Sequence, residues 1–311
     1  MSKPLLLLCD LSAERLLGDA LLDRFDRLRL WEASDRGAVL QARGGDVIAA
    51  LTTRLDAREL DCLPNLRLIA VPGAGYENID VAAARQRGIA VANAGEVHSG
   101  DVADHAVALT LASIHRLPEM QTCVRDGDWR RTGLPARRHA MSAQRFGIVG
   151  LGNIGTAIAE RLVPFGGEIA WWSRRYKKAD WPRHDSLLDL ADWCTALIVA
   201  TRGDAEGLID AATIEAVGHD GLIVNITRGS VVDEDALIAA LRAGTLGRAA
   251  LDVFAEEPTP PSRWRHVPNV ILTPHVAGVS HESLRRLHDA AVRNLLSVLD
   301  GGPGVIELTD D

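Results

Sequence analysis

Short apolar runs alternate with helically spaced apolar positions along most of the chain. The first block reads "LLLLC", a helix near Ser12 to Phe25, then "VIAALTT", "LRLIAV" and "GIAVAN", ending near Asn93. Strands separated by helical segments require crossover connections, so this block predicts a parallel sheet. A long amphipathic segment, "DVADHAVALTLASIHRLPEM", follows, with Val102, His105, Ala106, Leu109 and Ala112 spaced to share one face. It reads as the helix that carries the chain into a second domain. Between Gln121 and Gln144 the sequence turns polar and arginine-rich, predicting a surface excursion rather than a layer of sheet. Six strand-like runs then resume the alternation: "RFGIVG", "EIAWWS", "ALIVAT", "GLIVNIT", "AALDVF" and "NVILTPH". Together they make a domain of Rossmann size. A last helix is expected over Ser280 to Leu299.

Length and charge narrow this picture. A chain of 311 residues exceeds a typical single core, so two domains are expected. The net charge of −8 does not supply the clustered cations of a phosphate-reading face, which argues against a nucleic-acid partner. Cys9, Cys62, Cys123 and Cys194 lie far apart with no C-x-x-C pair, signalling neither a zinc site nor a disulfide framework. No metal site is expected. The N-terminal leucine run is too short for a signal-peptide core, and no apolar stretch approaches membrane-spanning length. A cytoplasmic protein with no membrane partner is the expectation.

The chemistry starts at "GIVGLGNIGTAIAERLVPFGG", where Gly150, Gly152 and Gly155 have the G-x-G-x-x-G spacing. The motif alone is common. Here it follows an apolar strand and opens a helix whose inward face is Ile154, Ala157, Ile158 and Leu162, with Gly166 and Gly167 placed to stop it. Gly150 permits a tight turn, Gly152 lets the backbone approach a pyrophosphate, and Gly155 lets helix and strand pack closely. Asn153 and Ile154 begin the helix, whose free N–H groups and dipole favour phosphates.

At the end of "EIAWWS", Ser173 occupies the position where a dinucleotide-binding chain usually keeps a carboxylate for the adenosine ribose. No acid stands there to accept from a 2′-hydroxyl or repel a 2′-phosphate. Arg174 and Arg175 can pair with that phosphate, Ser173 can donate to it, and Lys177 and Lys178 add positive field. NADP(H) is therefore expected in preference to NAD(H). The plainer reading is a solvated basic loop at a strand end.

Three longer stretches complete the set: "LRLIAVPGAGYENIDVAAARQRGIAVAN", "VNITRGSVVDEDALIAALRAGTLGRAALDVFAEEP" and "NVILTPHVAG". With them the chain, from about Val47 to Leu299, resembles the D-isomer-specific 2-hydroxyacid dehydrogenases, and within these the glyoxylate/hydroxypyruvate and hydroxyphenylpyruvate reductases. The resemblance implies that Arg228 binds the substrate carboxylate and the reacting oxygen. It implies that His275 donates the proton during carbonyl reduction and that Glu257 pairs with it. Ala74 and Gly75 would offer backbone N–H groups to the carboxylate, Asp252 would sit near the nicotinamide amide, and Thr227 and Gly278 would line the cofactor. The residue types suit these tasks: arginine grips two oxygens and stays charged, and histidine exchanges protons near neutral pH. Taken singly, Arg228 also reads as a surface arginine at a helix start and His275 as a satisfied core histidine. Glu256 beside Glu257 leaves the register ambiguous by one, and the following proline selects Glu257.

Two places depart from the family pattern. The loop "TRGDAEGL", which brings Thr201 and Arg202 to the cofactor-lining position, replaces a Pro-Leu-Thr-Pro-type stretch, and "VADH" stands for "VAEH". The chain after His275 is too short for an appended regulatory domain. Its last helix would return to the first domain, giving an α/β architecture of two doubly wound parallel-sheet domains. A Rossmann NAD(P)-binding domain over residues 99–278 would be inserted into a flavodoxin-like substrate domain made of 1–98 and 279–311. The active site would lie in the cleft, and closure would exclude water. By resemblance, the helix from Asp101 and the excursion with Trp129 would form a homodimer contact.

The expected activity is NADPH-preferring reduction of small 2-oxo acids to D-2-hydroxy acids, glyoxylate and hydroxypyruvate first and phenylpyruvate-type acids next. The substrate side chain would be selected around "ALTTRLD", where Thr52 lies between Leu51 and Thr53. Two other classes fit the same residues: a dinucleotide-sensing interaction protein of the corepressor type, and a dehydrogenase of another small anion such as formate or phosphite.

Overall fold

The computed structural model describes residues 3–73, 75–76, 78–129, 138–203 and 205–300. The chain divides into two compact units, Met1–His98 with Ser280–Asp311, and Ser99–Val279.

The first unit is a five-stranded parallel sheet: β1 (Leu5–Leu8), β2 (Asp26–Arg29), β3 (Val47–Leu51), β4 (Leu68–Ala70) and β5 (Ala90–Ala92), in the order β2-β1-β3-β4-β5. This is the flavodoxin-like order, with α2 (Arg36–Arg43), α3 (Ala57–Asp61) and α4 (Val81–Gln86) in the connections after β2, β3 and β4. Because side chains alternate along a strand, Leu5 and Leu7 enter one core and Leu6 and Leu8 the other. The second of these cores is closed by α12 (His281–Leu299) through Ala291, Leu295 and Val298. Ser280 caps that helix by accepting from the Ser283 N–H.

The helix expected over Ser12 to Phe25 is α1 (Leu11–Leu17) only, because Gly18 takes a positive φ of 51° and turns the chain. The strand β2 was not among those predicted, since "DRLR" is a half-exposed edge strand without the apolar run that marks an interior one.

The second unit opens with α5 (Ser99–Ile114). The expected single helix breaks after it: Arg116 adopts φ 55°, and α6 (Leu117–Arg125) begins with Pro118 in its first turn. The predicted polar excursion therefore starts as helix, and residues 130–137 of it lie outside the described residues. All six predicted strands form: β6 (Arg145–Val149), β7 (Glu168–Trp172), β8 (Ala196–Val199), β9 (Leu222–Asn225), β10 (Arg248–Leu251) and β11 (Val270–Leu272). They lie parallel in the order β11-β10-β9-β8-β6-β7. A lone parallel bridge between Trp171 and Arg183 adds the remnant of a further strand outside β7, restoring the usual Rossmann succession at that edge.

Between β6 and β8 the connections leave to opposite faces of the sheet, which opens the ligand crevice of a doubly wound fold. Ile148, Ile198 and Val224 bury one face against α5 and α7 (Asn153–Leu162). Leu197, Val199 and Ile223 bury the other against α8 (Leu187–Trp193), α9 (Ala211–Val217) and α10 (Glu234–Ala243). All four cysteines are free, and burial pushes the Cys9 thiol up to about 11 and the Cys194 thiol up to about 12. Among the described residues no helix is long and apolar enough to cross a membrane. Leu197 is fully buried at the centre of the second sheet. Leu197→Ala should cost about 2–5 kcal/mol of unfolding free energy, read as a lower urea midpoint at unchanged slope.

Candidate active site

The glycine-rich turn joins β6 to α7, and its three glycines meet three different constraints. Gly150 has φ +93°, and a Cβ there would lie 2.7 Å from Thr201 Cα. A Cβ on Gly155 would lie 2.0 Å from the Gly150 oxygen, so helix and strand pack at contact distance only without a side chain. A Cβ on Gly152 would meet nothing within 4 Å, which leaves this side of the turn open to a ligand. Gly152 is also the N-cap of α7, and no side chain caps it. An uncapped helix start behind an open glycine, at a sheet's switch point, fits a dinucleotide pyrophosphate. Asn153 is exposed there, whereas Ile154 packs against the core below.

Past β7, the Ser173 hydroxyl donates to the Arg175 carbonyl, while Arg174 and Arg175 are exposed. Lys177 reaches back over the glycine turn, its Nζ donating to the Leu151 carbonyl at 3.0 Å and approaching Thr156 Oγ1 at 3.4 Å. The positive charge of this loop is thus carried to the mouth of the turn.

On the far side of the sheet crevice, Thr227 and Arg228 follow β9. Buried Asn225 holds this turn with both ends of its carboxamide: Oδ1 accepts from the Thr227 N–H at 3.0 Å and Nδ2 donates to the Arg228 carbonyl at 2.9 Å. The Thr227 hydroxyl donates to the Val199 carbonyl, tying the turn to β8. Gly229 then presses on the backbone of Phe254, where a Cβ would come within 1.8 Å of the carbonyl carbon. That contact sets the Arg228 turn against the segment leading to Glu257.

Glu257 Oε2 lies 2.6 Å from His275 Nδ1, and Glu257 Oε1 accepts from the Phe254 N–H at 3.0 Å. Of the two neighbouring glutamates, Glu257 is the one bonded to the ring. A ring that bonds a carboxylate through Nδ1 is fixed in orientation, and Nε2 remains the atom for proton exchange. His275 itself has φ 52°, a left-handed conformation uncommon outside glycine, on a loop under constraint.

Asp252 supplies that constraint. It is fully buried, and its carboxylate accepts from the Thr273 hydroxyl at 2.5 Å and from the N–H groups of Val276 and Ala277 at 3.0 and 2.8 Å. Its carbonyl takes the His275 N–H at 2.8 Å. His105, on α5, adds Nε2 at 3.0 Å from Thr273 Oγ1 and 3.5 Å from Asp252 Oδ1. Burial pushes the Asp252 carboxyl up, but the hydrogen bonds from His105, Thr273, Val276 and Ala277 outweigh it and hold the group below its ordinary value. The sequence placed Asp252 near the nicotinamide amide and gave Asn225 and His105 no role in the site, whereas their bonding shows all three holding the segments that carry Arg228 and His275.

Thr201 follows β8 beside Gly150, and Gly278 lies just past the loop that Asp252 holds. In the first unit, Thr52 and Gly75 follow the adjacent strands β3 and β4 at the same end of the sheet. Thr52 is buried, with its hydroxyl donating to the Arg54 carbonyl, and Gly75 is half-buried. Ala74 lies outside the described residues. Among the described residues no three His, Cys, Asp or Glu side chains are grouped to hold a metal ion.

Residues 107–277 match the family described as D-isomer specific 2-hydroxyacid dehydrogenase, NAD binding domain. The chain belongs to this family. This dehydrogenase is 35% identical over 302 residues to glyoxylate/hydroxypyruvate reductase A of Arabidopsis thaliana, covering 95% of this chain and 96% of that protein. It is also similar to the solved 2-hydroxyacid dehydrogenase of Ketogulonicigenium vulgare, with 36% identity, a TM-score of 0.91 and 99% of each chain covered. The NADPH-dependent glyoxylate/hydroxypyruvate reductase of Sinorhizobium meliloti, solved with NADP and malonate, matches at 33% identity and a TM-score of 0.90, covering 99% and 97%. The dehydrogenase is thus an NAD(P)-dependent oxidoreductase, and its homologues support reduction of 2-oxo acids. The sensing-protein alternative is not favoured.

The lowered Asp252 carboxyl has a defined consequence for acid stability. Its contribution is complete above the unfolded-state value, about 3.9, and is lost as pH falls through the lower folded value. Asp252→Asn should be less stable at neutral pH. Its unfolding free energy should also fall less steeply than the parent's below about pH 4, measured by urea titration across pH.

Proposed function

We propose that this dehydrogenase reduces glyoxylate and hydroxypyruvate, and next phenylpyruvate-type acids, to D-2-hydroxy acids with NADPH in preference to NADH. The observation that carries the reading is the 2.6 Å His275–Glu257 pair, set on a loop that Asp252 constrains. In this reading residues 99–278 form the cofactor domain, and 1–98 with 279–311 the substrate domain. Gly150, Gly152, Asn153, Ile154 and Gly155 cradle the pyrophosphate. Arg174 and Arg175 take the 2′-phosphate on the turn that Ser173 opens, and Thr201, Thr227, Asp252 and Gly278 line the nicotinamide half. NADPH, when bound, supplies the hydride. Arg228 grips the substrate carboxylate and polarises the reacting carbonyl, with N–H groups of Ala74 and Gly75 on the same carboxylate and Thr52 near the side chain. His275 gives its Nε2 proton to the developing alkoxide, and Glu257 keeps the ring aligned and balances the charge of its protonated form. NADPH dependence of the Sinorhizobium enzyme and the absence of a carboxylate at Ser173 both support the cofactor preference. The free cysteines are consistent with a cytoplasmic location.

The test follows loss of reduced-nicotinamide absorbance with glyoxylate, hydroxypyruvate and phenylpyruvate, NADPH and NADH run side by side. The expected result is consumption of NADPH at least about tenfold more efficient than of NADH, the scale of one or two charge-assisted hydrogen bonds. His275→Ala should lower kcat by about 10²–10⁴-fold with little change in NADP⁺ affinity. Undiminished turnover in that variant would remove His275 from the proton-donor role.

The same reading includes a homodimer through α5, α6 and the segment with Trp129. No residue of α6 is buried, and Leu117, Val124 and Trp129 are 54%, 61% and 58% exposed, an apolar surface that a second copy would cover. Sedimentation velocity should give a dimer for the parent chain and a shift toward monomer for Val124→Glu. A monomeric parent would discard the interface.

A further inference from the structure

We propose that Arg183 is a specificity-determining positioning residue: it holds the Ser173–Arg175 turn in the arrangement that receives the 2′-phosphate of NADP(H). The inference rests on the NADPH reading above and extends it to a residue outside the strand-end motif.

β7 is the edge strand of its sheet, so the turn that follows it has a neighbouring strand on one side only. An edge of this kind is free to shift unless something pairs with it. On its outer side the chain returns as Trp181–His184. The Trp171 N–H donates to the Pro182 carbonyl at 3.0 Å, the His184 N–H donates to the Trp171 carbonyl at 2.9 Å, and the Trp171 indole N–H donates to the Trp181 carbonyl at 3.0 Å. These bonds stop at Trp171, two residues short of Ser173. The Arg183 side chain spans the remainder, its Nη2 donating to the Ser173 carbonyl at 3.1 Å.

The base of this clamp is rigid. The Arg183 guanidinium carbon lies 5.7 Å from the ring centroid of Trp171, which is 1% exposed and fixed in the core. Arg183 Nε is buried without a hydrogen-bond partner, so the Ser173 carbonyl is the acceptor that orients the group. With its carbonyl held from outside and its hydroxyl bonded to the Arg175 carbonyl, Ser173 is gripped at both ends. Arg174 and Arg175 therefore project from a fixed backbone. The stretch from Arg174 to Arg183 carries five cationic side chains, Arg174, Arg175, Lys177, Lys178 and Arg183, against one carboxylate in its sequence, Asp180, and its net positive charge favours an anion. A clamp on the backbone keeps them convergent on a dianion instead of letting them splay into solvent.

Calorimetric titration with NADP⁺, NAD⁺, adenosine 2′,5′-bisphosphate and AMP tests this on the parent chain and three variants. Arg183→Met keeps the apolar stem on Trp171 and removes the hydrogen bond, and should raise the Kd for NADP⁺ and the bisphosphate about tenfold while leaving NAD⁺ and AMP within about twofold. Arg183→Lys should recover part of the loss, since it retains the charge without the fork. The third variant, Arg174→Ala with Arg175→Ala, reports on the underlying reading and should abolish the preference for 2′-phosphorylated ligands. If that double variant loses the preference and Arg183→Met does not, the clamp is overturned and the NADPH reading stands. Equal weakening of all four ligands in Arg183→Met gives a purely structural role and also overturns it. A parent chain that binds NAD⁺ as tightly as NADP⁺, unaffected by the double variant, overturns both.

Discussion

The Asp252 carboxylate is the interaction on which the candidate site depends. It lies at the end of β10, fully buried, and its two oxygens collect one hydroxyl and two backbone N–H groups from the single loop Thr273–Ala277. A buried charge is tolerable only when its lone pairs are filled, and here filling them forces the loop into one shape. That shape includes the left-handed backbone of His275, a strain that the surrounding bonds over-determine. In that shape the His275 imidazole meets Glu257, with Nδ1 2.6 Å from the carboxylate. His105 extends the constraint to α5, so the helix that opens the second unit also bears on the loop that carries His275.

Close backbone approach does for Arg228 and the glycine turn what Asp252 does for His275. Gly229 lies against Phe254, Gly155 against Gly150, and Gly150 against Thr201, at separations no side chain would permit. These contacts bring loops from β6, β8, β9 and β10 together at one end of the sheet, the end where a doubly wound fold binds its ligand. Glu234 contributes from below. Buried at the start of α10, it accepts from the Ala255 N–H at 2.8 Å and pairs with Arg263, steadying the segment between Phe254 and Glu257.

The basic loop after β7 obeys a different economy. Its cations are exposed, where water screens their mutual repulsion at little cost. Lys177 on the glycine turn and Arg183 on the Ser173 carbonyl restrain that loop from its two sides. The result is a surface whose charge is chemically generic and whose geometry is not.

Much of this was determined by the sequence alone. The six strands of the second unit, the glycine turn and the closing helix are legible because apolar periodicity and capping residues act locally, within a few positions of each other. Arg228, Glu257 and His275 were nameable because their motifs are long. Where a signal was weak or a glycine intervened, local reading failed: "DRLR" forms an edge strand that needs no apolar pattern, and Gly18 ends α1 early. The pairing of Glu257 with the Nδ1 side of His275, the hold of Asn225 and Asp252 on the loops that carry Arg228 and His275, and the placing of Arg183 beside Ser173 were decided only by tertiary structure. Each depends on hydrogen bonds whose direction is fixed by the packing of the sheet, and a one-dimensional pattern carries no information about direction.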